Sequence, residues 1–273
     1  MSFINFWQEF YKKYIGWGEY QTQGIESNPR GFGVFSYYHI TISLILILFI
    51  ILFTFCTRKY SSDKLSKAER RISWIMIILE IFRFAWYRYY QGFWYFKYDI
   101  CNIICLLMPI FVLIKNKTFA LMWAALAFYG GCGVLLYPYG VFASLNGLHI
   151  VSIQSMISHG LMVLSSVNLA RLYKINFKKD LLYSLIGYLI ISAFIVIMCF
   201  VKNTNYMALL DPSGIPLVQY LPVPLSSIAI IGLIYLGIYL YLLVLNKFQI
   251  KKFLCVDLKE QVNNELQESN TTL

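Results

Sequence analysis

The stretch Tyr98-Asp99-Ile100-Cys101-Asn102-Ile103-Ile104-Cys105-Leu106-Leu107-Met108-Pro109-Ile110-Phe111-Val112-Leu113-Ile114 decides how often the chain crosses a membrane. It opens on an acid, a thiol and an amide, then turns apolar. A polar side chain is kept inside a hydrocarbon span when it faces protein, water or substrate, which makes Cys101 the first candidate functional residue. As a helix, Ile100 to Ile114 covers roughly 22 Å, short of the roughly 30 Å of a bilayer core. The aromatic run Phe93 to Tyr98 can extend it outward.

The rest of the chain supports a membrane setting. Of 273 residues, 59% are hydrophobic and 13% charged, well below the near-quarter charged share of a soluble domain. Aromatics reach 18%, with Tyr and Trp at segment ends, as headgroup-level anchors require. The net charge of +10 sits in short links between apolar runs, which points to anionic lipid and away from nucleic acid. Six cysteines form no Cys-x-x-Cys, and three histidines are scattered, so neither a metal site nor a disulfide framework is implied. No cofactor motif is present.

Seven apolar runs follow an aromatic, Gly- and Asn-containing N-terminal segment, residues 1–37, read as an interfacial helix and loop. They are Tyr38 to Cys56, Ile72 to Tyr87, Ile100 to Ile114, Thr118 to Tyr137, Leu148 to Ala170, Leu181 to Val201 and Pro222 to Leu245. Backbone groups in lipid must bond within their own segment, and no alternating ten-residue pattern suggests a barrel. The fold class is therefore all-α: a polytopic bundle of seven transmembrane helices over residues 38–245, with a polar tail at 246–273. Sixteen Lys and Arg lie in the links after spans one, three and five and in the tail, against six on the other side. That asymmetry puts the N-terminus outside and the C-terminus in the cytoplasm, in a multi-pass protein of the cell membrane. A re-entrant third span gives six crossings and exports the densest basic link, Arg58 to Arg71.

Depth brings polar groups together. Measured from the cytoplasmic boundary, Cys101 lies roughly 21 Å in, His159 roughly 18 Å, Glu80 roughly 14 Å and Arg83 roughly 18 Å. Glu80 and Arg83 are three apart and can pair on one helix face. Span five carries a small and polar stripe, Leu148, Ser152, Ser155, His159, Met162 and Ser166, which should face protein. A thiol becomes a strong nucleophile once deprotonated, and an imidazole can take that proton. The same residues also fit a plainer role, the thiol as a filler, the serines as packing contacts and the imidazole as a satisfied donor. Asp99 is expected to cap span three, and Pro109 to kink it. His39 and His149 are expected at the interface.

The order Glu80, Gly92-Phe-Trp, Cys101, Ser158-His-Gly-Leu161 and Asn205-Tyr-Met207, followed by Leu210-Asp211 and Leu221-Pro-Val-Pro224, resembles the YwaF-like bacterial integral membrane proteins over most of the chain. These are distantly similar to a eukaryotic multispanning phospholipid acyltransferase that uses a Cys and a His. The resemblance implies that Cys101 carries the acyl group and His159 is its base. It does not extend to the residues before the thiol, where Asp99-Ile100 stands in place of a Leu-His or similar pair. The expected function is a Cys/His acyltransferase or acyl hydrolase acting on membrane lipid, with Glu80, Arg83, Asn102, Ser155, Asn205 and Tyr206 in support. The alternatives are a small-molecule transporter or binding protein, or a membrane assembly partner without chemistry.

Overall fold

The computed structural model describes residues 35–91, 99–137, 148–173, 176–202, 220 and 222–248. The N-terminal segment, the links 92–98, 138–147 and 203–219 with Asn205 and Tyr206, and the tail fall outside those residues. The described residues contain seven helices: α1 (Tyr37–Cys56), α2 (Ser62–Gln91), α3 (Ile100–Leu113), α4 (Lys117–Leu136), α5 (Ile150–Leu172), α6 (Phe177–Lys202) and α7 (Val223–Phe248). Five of them, α1, α4, α5, α6 and α7, are long and apolar enough to cross a membrane.

The other two depart from a simple span in opposite ways. α3 is apolar but has only 14 residues, with Pro109 inside it. α2 has 30 residues and begins ten before the apolar run, so the basic link is largely helical. Its start is set by Ser61, whose hydroxyl accepts from the Lys64 N–H, and by an Asp63–Lys67 pair at 2.7 Å one turn apart. Charged residues of this kind are good helix formers where the headgroups begin.

α3 and α4 form a hairpin whose turn is unusually tight. Lys115 takes φ +58°, the left-handed conformation that glycine normally supplies. The Asn116 N–H then bonds to the Phe111 carbonyl and the Lys115 N–H to that of Val112, the paired bonds of a Schellman stop. Asn116 at once starts α4, its side-chain oxygen accepting from the Phe119 N–H. Phe111 and Phe119 stack across the turn at 4.8 Å.

α4 and α5 lie against each other at the centre. α5 is flanked by α1 and α2, and α4 by α3, α6 and α7. Every residue of α4 from Ala120 to Ala127 is buried, and its four alanines let neighbouring backbones come close. α5 is buried on nearly all sides although it is the most polar of the five long apolar helices. The outer faces of α1, α6 and α7 present Leu, Ile and Phe, the surface a lipid environment selects.

Candidate functional site

Buried polar groups must be paired, and in this bundle the pairing starts on α2. Arg83 donates from Nη2 to Glu80 Oε2 and from Nη1 to Asn102 Oδ1, each at 2.5 Å. One guanidinium therefore neutralises a carboxylate on its own helix and fastens the first turn of α3. Its Nε–H has no protein partner among the described residues. Gln154 of α5 joins from the other side, its amide nitrogen donating to the Leu79 carbonyl at 3.2 Å and to Ser158 Oγ at 3.1 Å.

His159 is held in a defined tautomer. Its Nδ1 lies 2.7 Å from the carbonyl oxygen of Ser155, one turn back on α5. A carbonyl can only accept, so Nδ1 carries the hydrogen and Nε2 is the acceptor nitrogen of the neutral ring. That is the state a general base needs.

Cys101 and His159 approach successive glycines of α4, the first with its sulfur and the second with its backbone. A Cβ placed on Gly130 would stand 3.2 Å from Cys101 Sγ, and one on Gly131 would stand 2.7 Å from the His159 carbonyl oxygen and from Val163 Cγ2. No larger residue fits at Gly131 while the two helices keep this distance. Met162, one turn beyond His159, completes the enclosure: its Cε lies 3.7 Å from the same point on Gly130, and its Sδ lies 3.2 Å from Cys105 Sγ. α3 and α5 thus touch through Cys105 and Met162. Glu80, Arg83 and Cys101 all lie within electrostatic reach of the Cys105 thiol. Cys101 is half-buried, whereas Cys105, Glu80, Arg83 and His159 are buried.

A second polar cluster lies toward the other end of the bundle, near the start of α2 and the end of α5. Glu69, ahead of the apolar run of α2, accepts from Ser165 Oγ and, at 2.9 Å, from Asn168 Nδ2. Asn168 Oδ1 accepts in turn from Arg171 Nη1 at 3.4 Å, and Arg171 donates to the Thr57 hydroxyl at 2.8 Å and carbonyl at 2.6 Å. Burial pushes the Glu69 carboxyl up to about 7, a rise that these two hydrogen bonds only partly offset.

Of the residues expected in the site, Glu80, Arg83 and Asn102 form one knot, Cys101 Sγ borders Gly130, and the His159 backbone borders Gly131. Ser155 contributes its carbonyl to His159. One other expectation changes. Asp99 occupies the N-cap position of α3, but its side chain makes no cap hydrogen bond; its backbone carbonyl accepts from Asn102 and Ile103 instead. His39 and His149, at helix ends, are buried among neighbouring helices. His39 Nδ1 accepts from the Phe35 N–H, and its Nε2 reaches the Leu135 carbonyl at 3.0 Å, tying α1 to α4. His149 caps α5 by accepting from the Val151 N–H and meets the Trp86 ring edge-on.

Gln154 and Glu69 are absent from the sequence reading of the site. Gln154 carried a usable signal, an amide inside an apolar span four residues before Ser158. Glu69 carried none, since it is one charge among many in a basic link.

These features define the class: a multi-pass helical membrane protein with a buried polar centre formed by α2, α3 and α5 against α4. The chain belongs to the TMEM164 family, whose family model matches residues 34–250. No curated protein and no solved structure matches it.

Proposed function

We propose that this chain is a membrane-embedded acyltransferase or acyl hydrolase in which Cys101 is the nucleophile and His159 the base. What supports the reading is the approach of Cys101 Sγ to Gly130 and of the His159 backbone to the next residue, Gly131, with the imidazole's Nδ1 committed to the Ser155 carbonyl. In the first step Nε2 takes the thiol proton and Sγ attacks the ester carbonyl of a membrane lipid. The alcohol of the lysolipid leaves with that proton, and the acyl group stays on sulfur as a thioester. A second alcohol, or water, then gives its proton to Nε2 and attacks the thioester, releasing the acyl product and restoring the thiol. Glu80 and Asn102 hold the Arg83 guanidinium, whose remaining Nε–H is a donor for developing negative charge. Asn205 and Tyr206 remain supporting candidates by the YwaF-like resemblance, which also favours a lipid substrate.

In the same reading the chain crosses the cell membrane seven times, with its N-terminus outside and its C-terminus in the cytoplasm. The distribution of Lys and Arg supports this orientation. The length of α2 and the α3–α4 hairpin support seven crossings over six.

The test uses full-length protein in vesicles containing a phospholipid with a fluorescent acyl chain. Wild type and Cys105→Ala should accumulate a hydroxylamine-sensitive acyl adduct, Cys101→Ser should not, and His159→Ala should form it slowly. Undiminished thioester labelling of Cys101→Ser overturns the assignment.

A further inference from the structure

A cleft of about 600 Å³ lies between α1 and α2, apart from the Cys101 centre. Its α2 wall runs from cationic to apolar along one helix face: Lys64, Lys67 and Arg71, at steps of three and four, are followed by Ile72 and Ile75. Phe49 and Phe53 form the opposite wall, and Leu161 and Leu164 of α5 close the inner end. We propose that this cleft binds an anionic phospholipid of the cytoplasmic leaflet, its phosphate on the three cations and an acyl chain along the phenylalanines.

Charge complementarity selects this occupant. The link from Arg58 to Arg71 carries six cations against Asp63 and Glu69. Asp63 meets Lys67 only in an exposed ion pair, which a phosphate can displace at little cost. Glu69 is on another face, buried against Ser165 and Asn168. A soluble anion has no use for the apolar inner half, and a neutral lipid has none for the cations. The volume falls within the roughly 300–1,000 Å³ range of small-ligand sites, and basic recesses between helices on this side of the bilayer suit acidic headgroups.

The proposal is independent of acyl transfer, and its test uses a full-length Cys101→Ser background. Phosphatidylglycerol bearing a fluorescent chain is titrated onto protein in neutral detergent, with unlabelled phosphatidylglycerol, phosphatidylcholine and inorganic phosphate as competitors. Unlabelled phosphatidylglycerol should displace the probe, and the other two should not. Replacing Lys64, Lys67 and Arg71 together by Gln should weaken binding on the order of 100-fold, at roughly fivefold per cation. Leu161→Trp, which fills the inner end without changing charge, should also weaken it. Replacing Lys178 and Lys179 by Gln in the first turn of α6 should leave affinity within about twofold, because those charges lie off the cleft. Equal displacement by phosphatidylcholine or by phosphate, or an equal loss in the Lys178/Lys179 variant, overturns the site.

Discussion

The Nδ1 of His159 lies 2.7 Å from the carbonyl oxygen of Ser155, so the imidazole is oriented by backbone and not by the serine hydroxyl. Ser155→Ala should therefore leave acyl transfer within about twofold of wild type, whereas His159→Ala should slow it by roughly 10²- to 10⁴-fold, the usual range for a general base. Initial rates of thioester formation in vesicles check both. A large loss in Ser155→Ala would show that the hydroxyl itself acts.

Arg83 links Glu80 to Asn102, and removing it strands a buried carboxylate. Arg83→Met should cost about 3–5 kcal/mol, while Glu80→Leu with Arg83→Met should recover most of that loss, since the pair can be replaced by apolar groups more cheaply than broken. Thermal unfolding in detergent separates the two outcomes.

The glycines near the end of α4 should respond unequally to alanine. At Gly131 the new methyl meets the His159 carbonyl and Val163 at 2.7 Å, so Gly131→Ala should destabilise the α4–α5 contact and lower activity. At Gly133 nothing lies within 4 Å, and Gly133→Ala should be neutral or stabilising by up to about 1 kcal/mol from helix propensity. Paired melting curves measure the contrast.

Much of this architecture is legible in the sequence because lipid leaves the backbone few choices. Each apolar run coincides with a helix to within a few residues, apart from the early start of α2. The Glu80/Arg83 pair follows from spacing alone. Neighbour relations are harder: depth can place Cys101 and His159 at one level, but cannot tell which residue of α4 each one meets, because depth says nothing about rotation of a helix about its axis. The burial of the two end histidines is hidden from the sequence for a related reason. His39 and His149 sit at helix ends, where a chain of sequence looks wet, yet adjoining helices cover them. Asp99 differs because an extended cap residue can offer its carbonyl alone.

Glu69 gives the fold a pH dependence with a definite sign. Its folded value of about 7 lies above its ordinary 4.5, so the native state holds the proton more tightly than the unfolded chain does. Stability from this group should be greatest below about 4.5 and fall as pH rises to about 7, by on the order of 3 kcal/mol in total, then level off. Glu69→Gln should flatten that slope. Melting temperatures taken across the same pH interval test it.

Lys115 holds a left-handed conformation without glycine's freedom. Lys115→Gly should remove that strain and stabilise the α3–α4 hairpin by up to about 1 kcal/mol, less the entropy a glycine adds to the unfolded chain. Chemical unfolding of the two proteins side by side gives the difference.

The burial of α5 has a consequence for how the protein is made. Its mean hydropathy is 1.5, against 2.6 for α1, α6 and α7, so lipid receives it less readily than those three. Its flanking partners α1, α2 and α4 all precede it in the chain. We therefore expect α5 to insert best once α1 to α4 are in place, bringing His159, Gln154 and Met162 to residues of α2, α3 and α4. The described contacts of the polar centre lie on these earlier helices, and α6 and α7 pack against α4 from its other side.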